Sequence, residues 1–193
     1  MGLASLGAIG SPVRRHPLVR QHQETAMATA YCILGVDPGS NVTGFGVVRG
    51  TGDDVQYVFS GTIAAARATS RHERLRDIFA GIERIIREYQ PTHFAIEDVF
   101  YSKNPRSALV LGEARGAAIL AAAMAGLPVF EYSAREVKQS VTGNGAADKS
   151  QVSYMLGKIL HLRELPERTD ESDAIAIAMC HAFKRREWSV AAK

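Results

Sequence analysis

From Tyr31 onward, three apolar segments separated by turn residues follow one another before any helical pattern begins. Tyr31 to Asp37 ends in Asp-Pro-Gly, and Val42 to Arg49 and Val55 to Ile63 are rich in Val, Phe and Tyr. Such runs with short polar breaks predict three consecutive antiparallel strands. Leu75, Ile78, Phe79, Ile82, Ile85, Ile86 and Tyr89 then recur at three- and four-residue steps, with Arg, Glu and Asp on the other side. That period predicts an amphipathic helix, stopped by Pro91. Phe94 to Glu97 reads as a short strand, and Ser107 to Ala125 as an Ala-, Gly- and Leu-rich helix expected to be buried on two sides. Pro128 to Tyr132 gives a fifth strand, followed by helical patterns over Ala134 to Val141, Lys149 to His161 and Glu171 to Arg186. Three strands followed by alternating helices and strands require an α/β fold in which helices flank a five-stranded mixed sheet.

At 193 residues and 46% hydrophobic content, the chain is long enough for one full core. Residues 31–187 are expected to form that domain, and 188–193 a C-terminal tail. Residues 1–30 differ: they hold Gly, Ser, Pro and basic residues, with Glu24 as the only acid. They read as a disordered extension or, given Met27, an over-extended start. Arg14, Arg15 and Arg20 follow the short apolar stretch instead of preceding it, the wrong order for a secretory signal. Charged residues or Gly interrupt every apolar run before it reaches the roughly 18 residues of a membrane span, so no membrane partner is expected. Cys32 and Cys180 show neither paired nor metal-ligand spacing, which fits a reducing cytoplasm.

The chemistry lies in the acids. Asp37 and Glu97 each end a predicted strand, and active sites in open α/β sheets gather beyond the carboxyl ends of strands. Asp170 and Asp173 are three residues apart at the start of the last helix, so they share a face that continues through Ala174 and Ile177. Carboxylates placed against apolar structure need a cation, because an unpaired buried charge costs several kcal/mol or shifts its pKa upward. An all-carboxylate set suits Mg²⁺ or Mn²⁺ better than zinc, and a pair of such ions suits phosphodiester hydrolysis. The net charge of +3 then leaves Lys and Arg dominant outside the site, favouring a polyanionic partner. Three of the four acids also have a plainer reading, as a turn former at Asp37 or a helix-start residue at Asp170 and Asp173.

The segments Gly35-Val-Asp-Pro-Gly-Ser-Asn-Val-Thr-Gly-Phe-Gly-Val-Val48, Ala95-Ile-Glu-Asp-Val-Phe and Asp170-Glu-Ser-Asp-Ala-Ile-Ala-Ile-Ala resemble the RuvC family of Holliday junction resolvases. Leu111-Gly-Glu-Ala-Arg-Gly, Val129-Phe-Glu-Tyr, Val137-Lys-Gln-Ser-Val and Lys149-Ser-Gln-Val extend the likeness from Ile33 to His181. The resemblance implies a ribonuclease-H-like fold and a homodimer that nicks opposed strands of four-way junction DNA symmetrically. It also implies Mg²⁺ or Mn²⁺, two ions per site, and a branch-migration complex as partner. Carried over by position, Asp37, Glu97, Asp170 and Asp173 match the catalytic acids. Lys138 and Lys149 match lysines that contact DNA, and Phe100 an aromatic residue that stacks at the junction centre. The residues themselves agree at Lys149, which follows Gly143-Asn-Gly-Ala-Ala-Asp at a helix start, where backbone donors favour phosphate. Asp98 departs from relatives that carry Gln, and strand alternation points it away from Glu97.

Two other functions compete. Asp-Pro-Gly followed by Ser, Thr and Gly also suits the phosphate turn of a sugar-kinase-like or actin-like ATPase, but such enzymes close two domains around nucleotide, and this chain is short for two. A non-catalytic junction-binding subunit would not need all four acids.

Overall fold

The computed structural model describes residues 30–39, 41–64, 70–98, 105–162, 164, 166 and 168–191, with side chains up to 185. The expected N-terminal extension before Ala30 lies outside the described residues. So do the side chains of the expected C-terminal tail. Strands β1 (Ala30–Asp37), β2 (Val42–Thr51) and β3 (Asp54–Ala64) lead into helix α1 (Arg71–Tyr89). Strand β4 (His93–Asp98), helix α2 (Pro105–Met124), strand β5 (Val129–Ser133) and helices α3 (Ala134–Thr142), α4 (Lys149–Ile159) and α5 (Thr169–Ala191) complete the chain.

The five strands form one sheet in the order β3-β2-β1-β4-β5. β1 pairs with β2, and β2 with β3, in antiparallel fashion, whereas β1–β4 and β4–β5 are parallel. Parallel pairs need crossover connections, and α1 and α2 provide them. The expected mixed sheet with flanking helices is therefore the fold.

Side chains alternate across the sheet into two cores. Cys32, Leu34 and Val36 of β1 join Phe94 and Ile96 of β4 beneath α1 and α2. Tyr31 and Ile33 of β1 join Ala95 of β4 and Tyr132 of β5 beneath α3, α4 and α5. Each fully buried Ile, Leu or Phe here contributes about 1.5–3 kcal/mol of burial free energy. Local signals agree with the packing. Ser70, Ser133 and Asp148 cap α1, α3 and α4 through reciprocal bonds with Glu73, Glu136 and Gln151.

Helix α2 departs from expectation. It buries one face only, through Ala114, Ala118, Ala121 and Ala122, while Leu109, Leu120 and Met124 remain 54–73% exposed. The small alanines let α2 sit close to α1, and among the described residues no other element covers its outer side. Helix α2 is also long and apolar enough, by length and composition alone, to cross a bilayer. The expectation that no segment reaches that length is corrected here. Its alanine face nevertheless packs into the core that holds Leu34, Val36 and Phe94, and its Glu113 and Arg115 pair with Arg71, Asp98 and Glu131.

Candidate active site

The alternation that builds the two cores also aims the acids. Val36 faces α1 and α2, so Asp37, the next residue, faces α5. Ile96 likewise lies on the α1 side, and Glu97 follows it toward α5. Because β1 and β4 run parallel with Val36 opposite Ile96, Asp37 and Glu97 emerge side by side at the carboxyl end of the sheet. They are close enough to share a hydrogen bond.

Helix α5 supplies the other two acids and can do so because the sheet beneath it carries glycine. A Cβ built at Gly35 would lie 2.7 Å from the Ala178 backbone nitrogen and 2.9 Å from its Cβ. One at Gly46 would lie 2.7 Å from the Ile175 side chain. One at Gly44 would overlap the Asp170 carbonyl. With hydrogen at these positions the helix rests on the backbone of β1 and β2, and its first turn reaches the carboxylate pair. Ser60 of β3 fixes that turn by donating to Glu171 at 2.8 Å, and Tyr57 hydrogen-bonds Ser60 at 3.0 Å.

Asp37, Glu97 and Asp173 share a cavity of about 290 Å³ with Lys138 of α3 and Lys149 of α4, over an apolar floor of Val137, Val152 and Ile177. Asp170 is not part of its wall. It stands beside Gly44 and adds to the negative field at Asp37. A larger hollow of about 430 Å³ beside Tyr154 is lined by Thr142, Asn144, Ala147, Ser150, Gln151 and Met155, and bears no ionisable acid or base suited to catalysis.

Burial raises the Asp37 carboxyl to a pKa of about 7, with Glu97, Asp173 and Asp170 adding to the effect. Burial is also the first cause that pushes Glu97 upward; the Asp37 hydrogen bond, Lys149 and Lys138 oppose it. The Lys149 ammonium contacts Asp173 Oδ2 at 2.6 Å, and this hydrogen bond raises its pKa. Excess negative charge pressed against an apolar floor is the signature of a cation site, and oxygen donors without sulfur or imidazole select a hard divalent ion. The residues thus fit Mg²⁺ or Mn²⁺. Among the described residues, however, no three acidic, His or Cys side chains already surround one cation point. The reason is visible in the contacts: Asp37 and Glu97 turn toward each other, and Lys149 engages Asp173.

The structure brings Asp37, Glu97, Asp173, Lys138 and Lys149 into one cavity, with Asp170 outside its wall beside Gly44. Phe100 lies outside the described residues. Asp98 points away from Glu97, as alternation requires, and sits 3.8 Å from Arg115. Arg115 was not singled out from the sequence. Its Nε donates to the Glu97 carbonyl at 3.2 Å, and its guanidinium also pairs with Glu131. An arginine two residues after Glu113, among the Ala, Gly and Leu residues of α2, was the signal available for it.

The family model for "Crossover junction endodeoxyribonuclease RuvC" matches residues 33–181. Relatives of that name from Actinobacillus succinogenes and Pseudoalteromonas translucida are each 55% identical over 154 residues, spanning 80% of this chain and 80% and 87% of theirs. The structure is similar to Thermus thermophilus RuvC in complex with a Holliday junction substrate, with a TM-score of 0.78, 33% identity, and coverage of 82% of this chain and 96% of that one. The yeast mitochondrial Holliday junction resolvase Ydc2, at 11% identity and TM-score 0.56, shares the fold. With the matched stretch running from β1 through the acids of α5, this chain belongs to the RuvC family of crossover junction endodeoxyribonucleases.

Proposed function

We propose that this endonuclease resolves four-way DNA junctions by metal-dependent phosphodiester hydrolysis at the cavity between β1, β4, α3, α4 and α5. One observation carries the site assignment: acids 60 to 136 residues apart in the chain, Asp37, Glu97 and Asp173, line a single cavity together with two lysines. Asp37, Glu97, Asp170 and Asp173 would hold Mg²⁺ or Mn²⁺, two ions in all. When bound, these ions supply an activated water and charge stabilisation at the scissile phosphate. The chain's own groups do the rest. Lys138 and Lys149 present cations to the DNA backbone beside the acids, and the apolar floor of Val137, Val152 and Ile177 keeps bulk water from the inner side. The start of α4, capped by Asp148, adds backbone donors beneath Lys149. Phe100, three residues beyond Glu97, is assigned the role of stacking on bases at the junction centre.

Symmetric cutting of opposed strands requires two such sites, and we assign the chain as a homodimer. Leu109, Gly112, Gly116, Leu120 and Met124 recur at three- and four-residue steps on the outer face of α2; the three large side chains are exposed and the two glycines open to space. That face supports pairing with a second copy. A branch-migration complex is the further partner, and the cytoplasm the compartment, in keeping with buried, unbridged Cys32 and Cys180. Residues 31–187 form the nuclease domain in this assignment, with β1 beginning one residue earlier at Ala30 and α5 running on to Ala191. The test is incubation of purified protein with Mn²⁺ and a synthetic four-way junction. Paired nicks at symmetric positions are expected, and binding without nicking would refute catalysis.

A further inference from the structure

We propose that Lys149 competes with the divalent ion for Asp173, so that metal entry releases the Lys149 ammonium to the DNA phosphate. The inference rests on the metal-nuclease reading and adds a coupling between metal and substrate that the four acids alone do not contain. Lys149 Nζ lies 2.6 Å from Asp173 Oδ2, the hydrogen-bond contact of a committed ion pair. That oxygen is a poorer metal ligand while the ammonium holds it, since an ammonium and a divalent ion repel each other at contact distance. The remaining acids do not compensate. Asp37 and Glu97 stand side by side at the ends of β1 and β4, and among the described residues no three ligands converge on one point. A cation that takes Asp173 Oδ2 therefore displaces Lys149.

The geometry gives the displaced lysine somewhere to go. Lys149 is the first residue of α4, anchored at its backbone by the Asp148 cap, while 65% of its side chain is exposed. Rotation of the side chain alone moves the ammonium from the cavity to its mouth, with no change in the helix. Lys138 differs: it lines the same cavity from α3 and acts on Glu97 through space, yet no ion pair ties it to Asp173. By linkage, a phosphate that draws Lys149 outward favours metal binding by the same factor as metal favours DNA binding.

The test is calorimetric titration of Mg²⁺ into the full chain without DNA, for wild type, Lys149→Met and Lys138→Met, with melting temperatures recorded as a check on folding. Competition predicts about fivefold tighter Mg²⁺ binding in Lys149→Met, the upper range for a largely exposed ion pair, and a clearly smaller change in Lys138→Met. Equal gains in both variants would reduce Lys149 to a distant charge and overturn the proposal. So would unchanged or weaker binding in Lys149→Met. Should that variant melt early, Lys149→Gln serves as the second, with the same criteria. Failure of the underlying reading looks different: wild type would then bind no Mg²⁺, or Asp173→Asn would bind it as tightly as wild type. A second readout is the NMR signal of the Lys149 side chain, which must move on Mg²⁺ addition and does not if the lysine stays on Asp173.

Discussion

Gly44 of β2 and Asp170 of α5 meet with no room for a side chain between them: a Cβ at Gly44 would overlap the Asp170 carbonyl and stand 3.1 Å from the Asp170 Cβ. Gly44 therefore sets the height at which α5 begins. Gly44→Ala must lift that first turn, at a cost of about 1–3 kcal/mol for overpacking. A displacement of ~1 Å in the acids would slow cutting on the order of a hundredfold. Gel assays of junction nicking beside junction binding should show the rate falling and the affinity holding. A variant that cuts at the wild-type rate would show that the helix start tolerates the shift.

Asp37→Asn and Glu97→Gln should each abolish cutting while leaving junction binding intact, because these acids serve the reacting phosphate more than DNA affinity. Asp37→Asn should also stabilise the metal-free protein. It removes a buried charge that Glu97, Asp173 and Asp170 all repel. A gain of ~1 kcal/mol would raise the melting temperature by about 2–4 °C for a domain of this size. A lower melting temperature in metal-free buffer would mean that the Asp37 carboxylate is better solvated than its surroundings indicate.

Arg115 ties α2 to the carboxyl ends of β4 and β5 through the Glu97 carbonyl, Asp98 and Glu131. Arg115→Met removes the whole fork and leaves the backbone at Glu97 held by the sheet alone. The turnover rate should drop several-fold with junction affinity little changed. Arg115→Lys should restore only part of it, since an ammonium cannot reproduce a planar guanidinium with several donors. A fall in affinity with unchanged turnover would place Arg115 on the DNA instead.

The architecture and the acids were readable because both rest on local regularities. Continuous apolar runs at Tyr31–Asp37 and Phe94–Glu97 mark the two strands, and the residue that ends each run is the carboxylate. The three-residue step from Asp170 to Asp173 is equally local. What could not be read depends on contacts between distant residues. Ser60 and Glu171 are 111 positions apart, and nothing near either marks the other as its partner. Gly44 looks like one more glycine in a Gly-rich strand until α5 is laid across it. The outer face of α2 was expected to be covered because apolar composition signals burial but does not say which chain provides the cover. Lys149 was legible as a phosphate ligand, whereas its hold on Asp173 required coordinates.

Acid should destabilise the fold through His181. This residue is fully buried; burial first, then His93 and Arg185, holds its pKa down at about 3, and its Nδ1 hydrogen-bonds the Tyr132 hydroxyl at 2.7 Å. The unfolded chain binds a proton at His181 below pH ~6.5, and the folded chain does not until about pH 3. More protons are thus bound by the unfolded state in that window, so stability falls as the pH drops from ~6.5 toward 3, by up to ~1.4 kcal/mol per unit from this group. Urea unfolding at several pH values should show the slope, and His181→Gln should flatten it even if it lowers stability at neutral pH. An identical slope in the variant would assign the acid sensitivity to other groups.

The outer face of α2 gives the last prediction. Leu120 and Met124 are 54% and 73% exposed and continue the row that begins at Leu109 and passes Gly112 and Gly116. If a second copy covers this row, Leu120→Glu places a charge in an apolar interface and should yield monomers by analytical ultracentrifugation. Single-site metal binding should persist in those monomers, because every acid in the cavity comes from one chain. Gly116→Ala discriminates further. A free helix gains about 1 kcal/mol from this change by helix propensity alone, whereas a helix pressed against its symmetry mate loses association as the added methyl forces the pair apart. A stabilised variant with an unchanged mass would place Gly116 outside the contact, and a wild-type chain that sediments as a monomer at micromolar concentration would end the dimer assignment.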